Sequence, residues 1–173
     1  LVRNALGPAQ LDHRLPAGIA PAGSFLQDLQ VSADRRTIVI ADASFWRKRP
    51  AIVVYDVESG TARRVLESHP SVAAEKYVIA HDGRNMRFFG GLVALRGGVD
   101  GIALGPEWLY YGALSGSTLY RIRLRDLRNA ELPAAQLGRR VEAYSAKPLS
   151  DGLSTDVDGN VYVTDVEHNA VFL

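Results

Sequence analysis

The chain has 173 residues, of which 47% are hydrophobic and 23% are charged, and its formal net charge is +1 at pH 7. These values are typical of a folded globular protein, and they exclude a disordered tail, a collagen-like chain and a coiled coil. The near-neutral charge argues against nucleic acid as a partner. No apolar run approaches the roughly 20 residues that span a bilayer. The lack of Cys excludes disulfides and thiolate metal sites.

The first repeat, near residues 24–66, predicts four strands. Two β-rich segments separated by a turn lie within Ser24–Ser44, followed by an apolar segment at Ala51–Asp56 and a more polar one at Thr61–Leu66. The residues at the start of the chain, Leu1–Asn4, are typical of the end of a preceding repeat.

An inserted loop at residues 67–95 separates the first repeat from the second. It contains the turn-forming groups His69-Pro70 and His81-Asp82-Gly83 and the apolar group Phe88-Phe89-Gly90-Gly91. This composition is too apolar for a free linker, and we expect the loop to cover one end of the fold.

Two further repeats lie near residues 97–130 and 148–173. Asp42 follows Asp28 by 14 residues and Asp165 follows Asp151 by the same interval, whereas Gly112 occupies the equivalent position 12 residues after Asp100. Either the middle turn is shorter, or two residues are absent from the sequence near Gly105–Glu107, and we favour the absence. Helical periodicity is weak throughout, and at most a short helical turn is predicted near residues 124–129.

Repeats of four antiparallel strands every 40–50 residues or so indicate the blades of a β-propeller. Residues 1–173 then form an all-β, partial propeller domain of about three blades. Known propellers close with about four to eight blades, and an open arc would expose sheet edges. Either further chain completes the ring, or a second copy does so by self-association.

Several motifs resemble the major royal jelly protein/Yellow family. They are Ile52-Val-Val-Tyr-Asp-Val-Glu-Ser-Gly60, Gly98-Val-Asp-Gly-Ile-Ala-Leu104 with Trp108-Leu-Tyr-Tyr111, and Asp158-Gly-Asn-Val-Tyr-Val-Thr-Asp165. The resemblance implies a six-bladed propeller of four-stranded antiparallel blades, related in architecture to the senescence marker protein-30/gluconolactonase group. It also implies a bacterial protein that is secreted or periplasmic. Insect members of the family include dopachrome-converting proteins and binders of biogenic amines or sterols.

Three carboxylates are the leading site candidates. Asp28, Asp100 and Asp151 are each predicted to lie just before the innermost strand of a repeat, so we expect them to converge at one mouth of the axial channel. Converging carboxylates suit Ca²⁺ or another hard divalent cation. The resemblance to gluconolactonases implies that Asp100 and Asp151 hold such a metal. The alternative is that each Asp accepts backbone N–H bonds in its own turn.

Secondary pocket candidates come from two other places. Asp165, Glu167 and Asn169 form the densest polar cluster, which either lines the pocket mouth or is a solvated loop. Phe88 and Phe89 of the inserted loop are candidates for stacking on a ligand, whereas the remaining aromatic residues favour packing between blades.

The leading functional prediction is a binder of a small organic molecule in the axial channel. One alternative is a metal-dependent hydrolase of a lactone or ester, of the gluconolactonase kind, and another is a non-catalytic protein-interaction propeller. Whether the protein is an enzyme is left open, since a dopachrome-tautomerase-like isomerase also fits the family. No catalytic residue is assigned, and the sequence has no histidine zinc motif, nucleophile elbow or phosphate-binding loop.

Overall fold

The computed structural model describes residues 14–173, so Leu1–Asn4, predicted to be the end of a preceding repeat, lie outside the described residues. The first repeat forms the predicted antiparallel sheet in the order β1-β2-β3-β4. Its strands are β1 (Leu26–Val31), β2 (Thr37–Asp42), β3 (Ala51–Asp56) and β4 (Thr61–Val65). β2 and β3 are almost wholly buried because both faces of these apolar strands are covered.

The inserted loop contains two small hairpins and two short 3₁₀ turns. The turns span Pro70–Val72 and Phe89–Gly91. The hairpins are formed by β5 (Ala80–His81) with β6 (Arg84–Asn85), and by β7 (Arg87–Phe88) with β8 (Val93–Ala94). The loop is therefore an ordered part of the fold rather than a linker.

The second sheet has the order β12-β11-β10-β9 and extends beyond the predicted range of 97–130. It contains β9 (Val99–Leu104), β10 (Trp108–Ala113), β11 (Thr118–Arg123) and β12 (Glu142–Ala146). Two short helices, α1 (Leu124–Arg128) and α2 (Ala134–Gly138), precede the last strand. β12 is exposed along its whole length, so its sequence lacks the alternation that marks a half-buried strand.

The third repeat forms a sheet of three strands in the order β13-β14-β15. These are β13 (Leu153–Thr155), β14 (Val161–Asp165) and β15 (Ala170–Phe172). Asp156 shapes the turn after β13 because its carboxylate accepts the backbone N–H groups of Asp158 (3.0 Å) and Asn160 (2.9 Å).

The turn between β9 and β10 explains the shorter spacing in the middle repeat. The N–H of Gly105 donates to the carbonyl of Trp108 at 2.9 Å, and three residues connect the two strands. Five residues make the equivalent connection in the first sheet, from Ser32 to Arg36. The middle hairpin thus closes with a shorter turn, and no additional residues are needed to account for the spacing.

The three sheets stand side by side, with their first strands adjacent. β9 contacts both β1 and β13, which places the innermost strands of the three repeats together. The main core lies between the first and second sheets, and Arg128 of α1 joins them through 2.8 Å bonds to Asp34 and Thr37. The chain is therefore an all-β protein built from consecutive blades of the propeller type. Within residues 14–173, no helix is both long enough and apolar enough to cross a membrane.

Candidate functional site

The three predicted carboxylates lie together at the ends of the inner strands. Asp28 lies where the pairing of β1 with β2 shifts register, Asp100 is the second residue of β9, and Asp151 lies two residues before β13. The negative charges of Asp151 and Asp28 both act on Asp100, in that order of strength. The fold therefore places Asp28 and Asp151 within electrostatic reach of Asp100.

Asp100 is the most perturbed of the three. It is buried, and within residues 14–173 its side chain forms no hydrogen bond. Burial, followed by repulsion from Asp151 and Asp28, raises the pKa of Asp100 to about 7, although Lys147 acts in the opposite direction. This carboxyl group lacks the partners that normally accompany a buried acid.

The other two carboxylates are partly satisfied by nearby donors. Asp28 accepts the N–H of Ile102 at 3.1 Å and the N–H of Leu29 at 2.7 Å. Asp151 accepts the hydroxyl of Thr164 at 3.0 Å. The alternative raised by the sequence, in which each Asp accepts backbone N–H bonds in its own turn, accounts only for the bond from Leu29 to Asp28.

Lys147 belongs to the same cluster and was not predicted from the sequence. It follows β12 and is buried, and its ammonium group donates to the carbonyl of Pro148 at 3.0 Å. Burial lowers the pKa of Lys147 to about 8, while the carboxylates of Glu75 and Asp100 act to raise it. Its side chain lies against Gly112, where a Cβ atom would clash with Cε of the lysine. The sequence signal that could have predicted this contact is Gly112 itself, because the other two repeats have Asp at the equivalent position.

A cleft of about 220 Å³ opens beside the carboxylate cluster. Asp100 and Asp151 contribute its charged groups, and most of its wall is apolar. The apolar lining comes from all three repeats and from the inserted loop: Phe25, Ala43, Phe45, Ile79, Met86, Leu95, Leu114 and Val166. The sequence predicted the two carboxylates, but not the inserted loop's contribution to the wall through Ile79, Met86 and Leu95.

The polar cluster after β14 holds the turn and the inserted loop. Asp165 is buried and accepts the backbone N–H groups of Glu167 (2.9 Å) and His168 (3.1 Å), together with Nδ1 of His168 at 2.8 Å. Glu167 accepts the N–H of Ala80 at 2.7 Å, and Asn169 adopts a left-handed turn conformation. Among the described residues of this segment, the cleft is lined by Val166 rather than by these three.

Phe88 and Phe89 lie at the rim of the cleft. The ring of Phe88 packs edge-on against Phe45, with centroids 6.0 Å apart, and Phe45 lines the cleft. Phe89 packs against Trp46 at 6.4 Å. Phe88 thus contacts the cleft wall through Phe45, whereas Phe89 contacts Trp46, and neither residue lines the cavity itself.

The two carboxylates on the cleft are chemically suited to a divalent cation. Asp100 has two oxygen atoms without hydrogen-bond donors, and Asp151 has one donor. Over the described part of the chain, however, no group of three or more His, Cys, Asp or Glu residues is arranged to hold a metal ion. Metal binding by Asp100 and Asp151 therefore stays a prediction.

The fold and the site define a propeller-type protein with an apolar cleft where its inner strands meet, and with the buried Asp100 beside the exposed Asp151. The model of one protein family, described as "Major royal jelly protein", matches residues 11–173. The chain belongs to the major royal jelly protein family, which confirms the family predicted from the sequence motifs.

One solved structure that the chain resembles is Kuenenia stuttgartiensis hydrazine synthase. The TM-score is 0.41 at 15% sequence identity, and the match covers 83% of this chain and 56% of the other. The chain thus spans little more than half the length of that structure, and a likeness this distant carries no argument about activity. No curated protein matches the chain.

Proposed function

We propose that this protein binds a small organic molecule in the cleft beside Asp100 and Asp151. The observation that carries the proposal is the combination of an apolar wall with a buried carboxyl group that has no hydrogen-bond donor of its own. A buried polar group without a partner is costly, and a ligand that supplies a donor removes that cost. Ligand binding is therefore the role that best explains Asp100.

The shape and charge of the cleft restrict the class of ligand. Its volume of about 220 Å³ suits a compact molecule with a single ring or a short chain. The rings of Phe25 and Phe45 would contact the apolar part, while a cationic or hydrogen-bond-donating end would face the carboxylates. A small amine satisfies both requirements.

Calorimetric titration with matched ligands tests this proposal. A small aromatic amine should bind, its neutral hydroxyl analogue should bind more weakly, and its carboxylate analogue should not bind. Asp100→Asn should weaken amine binding about tenfold or more, since a charge-assisted hydrogen bond is lost. Asp126→Asn, on α1 and away from the cleft, is the control and should bind like the wild type. Equal binding of all three ligands, or unchanged affinity in the Asp100 variant, would contradict the proposal.

The second candidate function is a metal-dependent hydrolase that acts on a lactone or ester. The adjacency of Asp100 and Asp151 favours it, because a cation between them would relieve the repulsion that raises the pKa of Asp100. A bound divalent cation would polarise the substrate carbonyl or activate water. The chain's own contribution would be to hold the cation with the two carboxylates and to exclude bulk water with the apolar wall.

Native mass spectrometry with Ca²⁺, followed by a lactone hydrolysis assay with and without chelator, separates the two candidates. Retained Ca²⁺ and chelator-sensitive hydrolysis, both lost in Asp100→Asn and Asp151→Asn, would support the hydrolase. Amine binding unaffected by chelator would support the small-molecule binder.

The same spectra test self-association. Apolar side chains are exposed on the first and third sheets, among them Leu29, Val31 and Phe172. A further blade, from additional chain or from a second copy, would cover these surfaces. A dimer would support closure by two copies. Export, expected from the family resemblance, is tested by fractionation of the source cells.

A further inference from the structure

We infer that the rim of the cleft is a docking surface for anionic phospholipid membranes. The surface, called the rim patch, consists of Trp46 and Lys48 from the turn after β2, together with side chains of the β7–β8 hairpin and of the residues that flank this hairpin. Its apolar members are Trp46, Phe88, Phe89, Leu92 and Val93, and its basic members are Lys48, Arg84, Arg87 and Arg96.

The apolar members of the rim patch are unusually exposed for their size. Trp46 is 60% exposed, Phe89 is 67% exposed and Leu92 is 85% exposed. They come from two segments distant in sequence, and the fold brings these segments together at one place. Contiguous exposed apolar surface of this kind marks an interaction site.

Contacts beneath the surface hold the patch in position. The ring of Phe45 packs edge-on against Trp46 at 5.0 Å and against Phe88 at 6.0 Å, and Phe89 lies 6.4 Å from Trp46. Phe45 itself is buried, so the exposed rings stand on a fixed base. A presented aromatic cluster loses little conformational freedom when it enters another apolar phase.

The charges around the patch identify the partner. Lys48, Arg84, Arg87 and Arg96 form no ion pair with a carboxylate anywhere in residues 14–173. Lys48 instead lies over the ring of Phe45 and donates to the carbonyl of Arg96, and Arg87 donates to the carbonyl of Gly91. These cations are therefore available to anions of a partner.

Nearby acidic residues do not neutralise the patch. Glu67 is already bound to three arginines that lie outside it, Arg47, Arg49 and Arg64. Asp82 lies beside His81 in the β5–β6 turn. The chain as a whole has a net charge of only +1, so the excess of positive charge is a local property of this face.

Exposed aromatic and aliphatic side chains surrounded by cations are the features of segments that insert into the interface of an anionic bilayer. The apolar members would enter the boundary between headgroups and acyl chains, and the cations would contact lipid phosphates. A protein partner would need carboxylates facing the same cations, and it is the competing outcome of the test below.

Vesicle sedimentation of the purified full-length protein tests the inference. We expect binding to mixed phosphatidylglycerol/phosphatidylcholine vesicles, little binding to phosphatidylcholine alone, and weaker binding as salt is raised. The double variant Phe89→Ser/Leu92→Ser should lose at least about tenfold in vesicle affinity. Lys48→Gln/Arg87→Gln should lose about tenfold and also show a smaller salt dependence.

Matched controls separate the rim patch from exposed residues in general. Val157 is 99% exposed in the third sheet's turn, and Arg125 is an exposed cation on α1. Val157→Ser and Arg125→Gln should bind vesicles like the wild type. In a Trp108→Phe background, where Trp46 is the one remaining tryptophan, vesicle binding should shift its fluorescence to shorter wavelength.

The inference is overturned if the protein does not sediment with anionic vesicles, or if the rim-patch variants sediment as well as the controls. Loss of a dimer or of a protein complex in the rim-patch variants, without vesicle binding in the wild type, would likewise overturn it and would assign the surface to a protein partner.

Discussion

Two buried aspartates in neighbouring sheets have opposite properties. Asp42 at the end of β2 is 0% exposed and Asp100 in β9 is 4% exposed, yet the pKa of Asp42 is lowered and that of Asp100 is raised to about 7. Burial acts to raise both values. The difference lies in the partners, which Asp42 has and Asp100 lacks.

Asp42 is surrounded by donors from three directions. Its carboxylate accepts the N–H of Phe25 at 2.8 Å, the N–H of Ser44 at 2.9 Å and the guanidinium of Arg64 at 2.6 Å. These bonds outweigh burial and keep the carboxylate ionised. Such complete bonding indicates a structural role, whereas the unbonded carboxyl group of Asp100 is available to a ligand.

The largest expected effect on stability comes from removing the hydrogen-bonded carboxylate of Asp42. Asp42→Ala leaves the buried guanidinium of Arg64 without this partner and removes the acceptor of two N–H groups, so we expect a loss of about 3–5 kcal/mol in the free energy of unfolding. Urea unfolding measures it. The exposed Arg36–Glu58 pair gives the control, because Glu58→Ala should cost under about 1 kcal/mol. Equal costs in the two variants would refute the structural assignment.

The second expected effect is a gain in stability, and it concerns Asp100. Because the folded-state pKa of Asp100 is raised to about 7, the folded protein binds a proton that the unfolded chain has released between roughly pH 4 and pH 7. Its contribution to stability is present at low pH and is lost as pH rises through about 7. Asp100→Asn should therefore match the wild type near pH 4 and be more stable above pH 7, by on the order of 2 kcal/mol.

Denaturant unfolding across this pH range measures the effect of Asp100→Asn. A variant less stable than the wild type at pH 8 would mean that Asp100 has a stabilising partner, such as a bound cation. Repeating the series with chelator decides between that explanation and a direct structural contribution.

A smaller effect on stability is expected at Gly112, which occupies in the second sheet the position that Asp42 occupies in the first. The space at Gly112 holds the side chain of Lys147. Gly112→Ala should cost about 1–2 kcal/mol because the buried lysine must move. The double variant Gly112→Ala/Lys147→Ala should lose about 1 kcal/mol less stability than the sum of the losses in the two single variants. Strict additivity would show that the two residues do not interact.

The smallest effect concerns the third sheet, where Asp165 resembles Asp42. Its contact with the largely exposed His168 raises the pKa of that histidine above its ordinary value. The contribution to stability is present below about pH 6.5 and is lost as pH rises through the folded-state pKa. An NMR titration should show a His168 pKa above the ordinary value for histidine. A His168 pKa at or below the unperturbed value would contradict the contact.

The sequence was informative where a single repeat carries the signal. The strands of the first sheet, the third repeat and the family all followed from local patterning, and so did the convergence of Asp28, Asp100 and Asp151. The exposed strand β12 was missed because its side chains do not alternate in burial. Lys147 was missed because its role depends on Gly112, which lies on another strand.

The sequence alone determined that this is an all-β chain of repeated blades belonging to the major royal jelly protein family, because strand alternation, turn residues and spaced motifs are local properties. The tertiary structure decided which buried carboxylate has donors and which does not, and how the inserted loop lines the cleft and presents the rim patch. Those properties depend on atoms from segments far apart in sequence, whose mutual distances are fixed only when the sheets pack.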